Sequence, residues 1–307
     1  HTSRPMNFGS RLVLDDDTIK RIIKLKIGQG IAEIARAKEL KGLRTTNGKK
    51  VLRLLDIEKL DDANHAGGVN SENCTLILTE GDSAKATAMA GLSVVGKDKY
   101  GVFPLKGKLL NVRDASANKI GKNEEIININ KILGLVHGQK DKSKLRYGHI
   151  MIMCDQDLDG FHIKGLIMNY LACFFSDLLS KNFVSSLLTP IVKVFKGTRL
   201  NSFYNVQDFE KWKAETNNSH NWRVKYYKGL GTSTSKEAKE YFEDLKNYKI
   251  HYTFNNEKGS DDVVNLKLAF SSSKKENTDK RKLWITETMK LLKDQKESGE
   301  LMFNYNK

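Results

Sequence analysis

Two short apolar runs, residues 75–79 and 149–154, each break off into carboxylates and a glycine. The first reads Thr-Leu-Ile-Leu-Thr before Glu80-Gly81-Asp82-Ser83. The second reads His-Ile-Met-Ile-Met-Cys before Asp155-Gln156-Asp157-Leu158-Asp159-Gly160. Apolar runs of this length predict buried strands. After the first, Ser83 as N-cap and Gly91 as C′ glycine predict a helix over Ala84–Ala90. Gly101–Lys108 reads as a short strand with a basic turn, Ile126–Val136 as an amphipathic helix, and His162–Leu179 as the helix after the second strand. Strands alternating with helices predict an α/β fold, a mostly parallel sheet flanked by helices.

The pattern differs on either side of this core. Residues 1–65 alternate basic stretches of helical period, as in Asp17–Leu25 and Ile31–Leu40, with short turns. Asp61–Ser71 has no hydrophobic period and reads as a polar connector, where a boundary is placed. From about Pro190, Ile191–Lys196 and Trp222–Tyr227 alternate apolar and basic residues, as half-exposed strands do. Thr234-Ser-Lys-Glu237 is a capping box opening a helix over Lys236–Leu245. Asn255–Asp262 and Ser271–Lys282 read as polar loops, and Lys290–Lys307 carries no clear signal.

Charge gives the core a direction. The 307 residues include 52 Lys and Arg against 37 Asp and Glu, a net charge of +15. That excess favours a polyanion, nucleic acid above all, with an anionic membrane surface as the other fit. Cys74, Cys154 and Cys173 form no CxxC pair, which argues against a zinc site and for free thiols. The longest apolar run, Leu166–Leu179, is interrupted by Asn169, Ser176 and Asp177 and is too short to span a bilayer. The chain opens at His1-Thr-Ser-Arg without an initiator Met or a secretory signal, which leads us to expect part of a longer protein.

Carboxylates gathered at two strand ends form an oxygen-rich site for a hard cation such as Mg²⁺. Asp155-x-Asp157-x-Asp159-Gly160 also matches the start of an EF-hand loop. That loop needs a Glu at position 12 and a preceding helix, whereas position 12 is Leu166 and the preceding run is strand-like. In extended backbone Asp155 and Asp157 point the same way and can reach one ion. A solvated acidic turn is the alternative for either cluster alone. Glu80 can ligate the metal or act as general acid/base. Asp82 can join the site or cap the helix. Pro104-Leu-Lys106-Gly107-Lys108 and Lys228-Gly229-Leu-Gly231-Thr-Ser-Thr234 are basic, glycine-containing turns suited to a phosphate backbone, though each alone is better explained as an ordinary solvated turn. Neither is a Walker loop or a dinucleotide fingerprint. His162 and Lys164 place positive charge beside the acids.

Glu80-Gly-Asp-Ser-Ala84 with Asp155-x-Asp157-x-Asp159-Gly160 resembles the metal-binding signature of TOPRIM domains. Leu60-Asp-Asp-Ala-Asn64, Pro104-Leu-Lys-Gly-Lys-Leu-Leu-Asn-Val-Arg113, Arg146-Tyr-Gly148 and Tyr227-Lys-Gly-Leu-Gly231 are similar to runs of the type IIA DNA topoisomerases. Asp155-Gln-Asp157, His162-Ile-Lys-Gly-Leu166 and Lys228–Thr234 resemble the eukaryotic branch. The likeness runs from about Asn7 to Thr286. It departs at Lys106, where that branch usually has Arg, losing a planar fork.

The resemblance implies a TOPRIM Rossmann-like parallel sheet preceded by an α-rich transducer tail. It divides the chain into residues 1–65, the transducer end and linker; 66–195, the TOPRIM domain; 196–290, an extension toward a winged-helix domain; and 291–307, an unassigned tail. It implies an ATP-dependent, homodimeric, nuclear enzyme that cleaves, passes and reseals double-stranded DNA. Glu80, Asp155, Asp157 and Asp159 would hold Mg²⁺, with Mn²⁺ or Ca²⁺ as substitutes, and Glu80 would also be the proton donor and acceptor. Asp82, Ser83, Lys106, Lys108, His162, Lys164, Lys228 and Gly229 would face DNA. The ATP site and the tyrosine nucleophile would lie on domains outside this sequence, so the piece alone would not cleave. A different TOPRIM enzyme, primase or nuclease, and a non-catalytic DNA-binding module are the competing expectations.

Overall fold

The computed structural model describes residues 15–18, 21, 30–31, 34, 38, 42–271 and 275–298. The helices expected over Asp17–Leu25 and Ile31–Leu40 lie mostly outside the described residues. At the centre is a five-stranded sheet. Strand β1 (Thr75–Glu80) is followed by helix α1 (Gly81–Val95) and strand β2 (Tyr100–Leu105). Helices α2 (Ala117–Gly121) and α3 (Glu124–Leu133) lead to β3 (His149–Met153), then α4 (Leu158–Phe174), α5 (Ser176–Leu179) and β4 (Val184–Leu187). The strand order is β2-β1-β3-β4, all parallel, closed by an antiparallel edge strand, β8 (Lys249–His251). The expected parallel α/β sheet is therefore present.

Burial follows from the sequence. Leu76, Ile77, Leu78, Met151 and Ile152 are fully buried, because both faces of the central strands are covered. Pro104 sits on the edge strand β2, where a missing N–H costs no ladder bond.

A second sheet of three antiparallel strands follows: β5 (Val192–Lys196), β6 (Arg199–Phe203) and, after α6 (Val206–Glu215), β7 (Arg223–Tyr226), in the order β6-β5-β7. From β7 the chain enters α7 (Ser235–Glu243), the short α8 (Leu245–Tyr248) and β8. Helices α9 (Asp261–Phe270) and α10 (Lys275–Ser298) complete the described structure.

Several local expectations are corrected. Helix α1 runs on to Val95, with Gly96 at its C-cap (φ 78°). Gly91 is buried mid-helix because the ring of Phe242 on α7 occupies the space a side chain would need. Ser83 lies inside the first turn, and Glu80 holds the N-cap position without a side-chain bond. The helix expected over His162–Leu179 begins earlier, at Leu158, and breaks at Phe175. Ser271–Lys282 is largely helical rather than a loop.

The polar connector Asp61–Ser71 is tied to the core. Asp61 bridges to Val102 of β2. Asp62 accepts from Arg146 Nη2 and from the Tyr147 hydroxyl, each at 2.5 Å. Two motifs noted separately in the sequence, Leu60–Asn64 and Arg146–Gly148, thus meet each other.

Candidate metal and nucleic-acid site

The parallel register of β1 and β3 pairs Thr79 with Met153, which brings the two acidic strand ends side by side. They open at the carboxyl edge of the sheet, where α/β folds place their ligands. Glu80 ends β1, and its Oε2 accepts the Asp155 backbone N–H at 3.3 Å. Asp157 is the N-cap of α4, its Oδ1 accepting the Gly160 N–H at 2.8 Å. Gly160 is required there because a side chain would run into the Asp155 carbonyl oxygen. Cys154 lies beneath, hydrogen-bonded to the Gly160 carbonyl, and burial pushes its thiol up to about 12.

A third segment closes over this edge. The loop between β7 and α7 lays Leu230 against the site, and its N–H donates to Asp155 Oδ1 at 2.7 Å. Gly229 faces the same carboxylate. On the other side of the loop, the Thr87 hydroxyl donates to the Leu230 carbonyl at 3.4 Å, and Gly231 approaches Ser83. The basic glycine run thus sits directly on the acidic cluster.

Electrostatics at the site favour a cation. Burial raises the Glu80 carboxyl above its usual range, and Asp155, Asp157 and Asp159 add to the rise against the lowering effect of the Asp155 N–H. Asp155 and Asp157 each have one oxygen fixed by a backbone N–H, and among the described residues their Oδ2 atoms accept no hydrogen bond. Hard oxygens crowded with like charge suit a divalent cation. Among the described residues, no three His, Cys, Asp or Glu side chains are arranged closely enough to hold a metal ion by themselves.

Residues 75–186 match the model of the Toprim domain, and residues 187–305 match that of the C-terminal associated domain of TOPRIM. DNA topoisomerase 2 of Plasmodium falciparum is 49% identical over 292 residues, covering 92% of this chain and 20% of that protein. Human DNA topoisomerase 2-alpha is 50% identical over 298 residues, covering 94% of this chain and 19% of that protein. The chain belongs to the DNA topoisomerase 2 family. It spans about a fifth of the length of these curated relatives. The crystal structure of the Plasmodium falciparum topoisomerase II DNA-binding, cleavage and re-ligation domain superposes with a TM-score of 0.70 at 52% identity, over 76% of this chain and 31% of that one. Membership of this Toprim family implies a divalent-metal site in general terms.

Within this topoisomerase 2 family chain, the sequence-predicted residues separate by position. Glu80, Asp155 and Asp157 stand together at the sheet edge. Asp159 is exposed and paired with Lys108 at 2.7 Å, which holds its carboxyl below the usual range. That pair draws the Lys106–Lys108 turn toward the acids. Lys106, Lys228 and Ser83 are exposed, and His162 stacks on Phe270. Asp82 is exposed and paired with Lys59 at 2.6 Å. Lys164 differs from the expectation: it is 5% exposed, donates to Gln156 Oε1 and lies 4.9 Å from the Phe161 ring centroid, and burial lowers its pKa. It is turned into the protein rather than toward a backbone outside.

The Pro104–Arg113 motif also splits. Its far end faces inward, with Arg113 Nε donating to Asn169 and Asn111 donating to the Phe270 carbonyl, both at 2.7 Å. Lys59, which holds Asp82, was not anticipated, since an isolated lysine in a basic segment gives no signal. Its carbonyl in turn accepts from Lys85.

Proposed function

We propose that this chain provides the metal-binding half of the DNA-cleaving centre of an ATP-dependent type II topoisomerase acting on double-stranded DNA. The observation that carries the reading is the side-by-side placement of the β1 and β3 ends, one carrying Glu80 and the other leading into Asp155–Asp159, beside two basic turns. Glu80, Asp155 and Asp157 would hold Mg²⁺, with Asp159 at the rim. When bound, such an ion stabilises negative charge on the oxygen leaving the phosphodiester.

The protein groups divide the remaining work. The Asp155 N–H fixes Glu80 through Oε2, leaving Oε1 to carry a proton to or from that oxygen. Lys106, Lys108 and Lys228 supply charge for the phosphate backbone. Tyr227 donates to Glu237, Tyr252 is bonded to Ser186, and burial raises the pKa of both. By resemblance to the family, the tyrosine nucleophile would lie on another part of the complete enzyme. ATP use, a homodimeric assembly and a nuclear location belong to the same proposal.

The test is made in the complete enzyme, with Glu80→Gln and Asp155→Asn assayed for Mg²⁺-dependent cleavage and for DNA binding. Both variants are expected to bind DNA and fail to cleave it. Cleavage at the wild-type rate in both overturns the assignment.

A further inference from the structure

The Lys228–Ser233 loop is held to Asp155 at its middle and to one glutamate at both ends. Leu230 N–H donates to Asp155 Oδ1 at 2.7 Å, and Gly229 lies against the same carboxylate. On the entering side of the loop, the Tyr227 hydroxyl donates to Glu237 Oε1. On the leaving side, the Thr234 N–H and hydroxyl donate to Glu237 Oε2 at 2.8 and 3.0 Å. Lys225 Nζ adds bonds of 2.9 and 2.8 Å to the two oxygens. Lys193, 3% exposed, lies 3.7 Å from Oε1.

A capping box requires only the exchange between Thr234 and Glu237. Here the second carboxylate oxygen is committed to Tyr227 and to lysines on β7 and β5. Those additional partners contribute nothing to starting a nine-residue helix. What they do is fix the distance between the two ends of the loop. We infer that Glu237 is a positioning residue for Asp155, acting through the loop whose ends it clamps. The role rests on the reading of Asp155 as a metal ligand.

Removing a group that orients a metal ligand typically weakens metal binding about 10- to 100-fold. The experiment measures Mn²⁺ binding to the complete, DNA-bound enzyme from the electron paramagnetic resonance signal of free Mn²⁺. Glu237→Gln is expected to weaken binding within that range. Tyr227→Phe, which releases only the entering side of the loop, should shift it less and in the same direction. The double variant Asp155→Asn/Glu237→Gln should bind no more weakly than Asp155→Asn, because both act on one carboxylate.

Wild-type Mn²⁺ affinity in Glu237→Gln and Tyr227→Phe, alongside a loss in Asp155→Asn, overturns the positioning role alone. Additive losses in the double variant also overturn it. Unchanged affinity in Asp155→Asn overturns the metal reading and the positioning role with it. If Glu237→Gln does not fold, Tyr227→Phe decides.

Discussion

Gly229 faces the Asp155 carboxylate so closely that a single added carbon would overlap it. The backbone there is extended (φ −171°), so the requirement for glycine is steric rather than conformational. Gly229→Ala must displace either the loop or the Asp155 carboxylate, and either shift disturbs the Leu230 N–H bond. Overpacking of this kind costs about 1–3 kcal/mol. The expected outcome is a folded protein with a modest loss in chemical denaturation and a large loss of metal-dependent cleavage. Wild-type cleavage with alanine in place would show that the loop does not hold the carboxylate.

Arg146 is fully buried and satisfied from three sides. Its Nε donates to the Val51 carbonyl at 2.7 Å, Nη1 to the Ile132 carbonyl at 2.8 Å, and Nη2 to Asp62. Removing one partner of a buried pair typically costs about 3–5 kcal/mol, because the other charge is left uncompensated. Asp62→Ala should therefore destabilise strongly, and should also leave the Tyr147 O–H without its acceptor, while the hydroxyl oxygen keeps the Ala63 N–H. Tyr147→Phe keeps the ion pair and should cost less, about 1–3 kcal/mol. Equal losses in the two variants, measured by urea denaturation, would contradict this ranking.

Helix interiors ordinarily favour alanine over glycine by about 1 kcal/mol. At Gly91 the opposite is expected. A Cβ there would fall within the Phe242 ring, and α1 and α7 would have to separate. The steric cost of about 1–3 kcal/mol exceeds the propensity gain. Gly91→Ala should lower the midpoint of thermal unfolding, and Phe242→Leu in the same chain should recover part of the loss. A rise in the midpoint for Gly91→Ala alone would refute the packing argument.

The same glycine shows where local pattern stops being informative. Gly91 follows an alanine-rich stretch and looks like a helix end, because Phe242, 151 positions later, does not register in a local pattern. The central strands were legible because both faces are buried, leaving unbroken apolar runs. The site acids were legible because each run ends in carboxylates and glycine. Helix α10 was not, since Lys275–Ser298 carries few apolar residues and no clear stripe. Glu237 was half legible: its capping box was evident from Thr234, while its bonds to Tyr227 and Lys225 depend on where β7 folds back.

Those bonds give stability a defined acid limb. Burial raises the Glu237 pKa, but hydrogen bonds from Lys225, Tyr227 and Thr234 outweigh it and hold the carboxyl at about 2, against an ordinary value of 4.5. A group with a depressed folded pKa stabilises fully above its unfolded pKa and loses that contribution as pH falls through the folded one. The window is therefore pH 4.5 down to about 2. With partial solvent screening the contribution is on the order of 2 kcal/mol at neutral pH. Wild type and Glu237→Gln should differ by that much at pH 7 and converge through this window, as followed by denaturant unfolding at stepped pH. A difference that stays constant from pH 7 to pH 2 would mean that the Glu237 charge does not stabilise the loop.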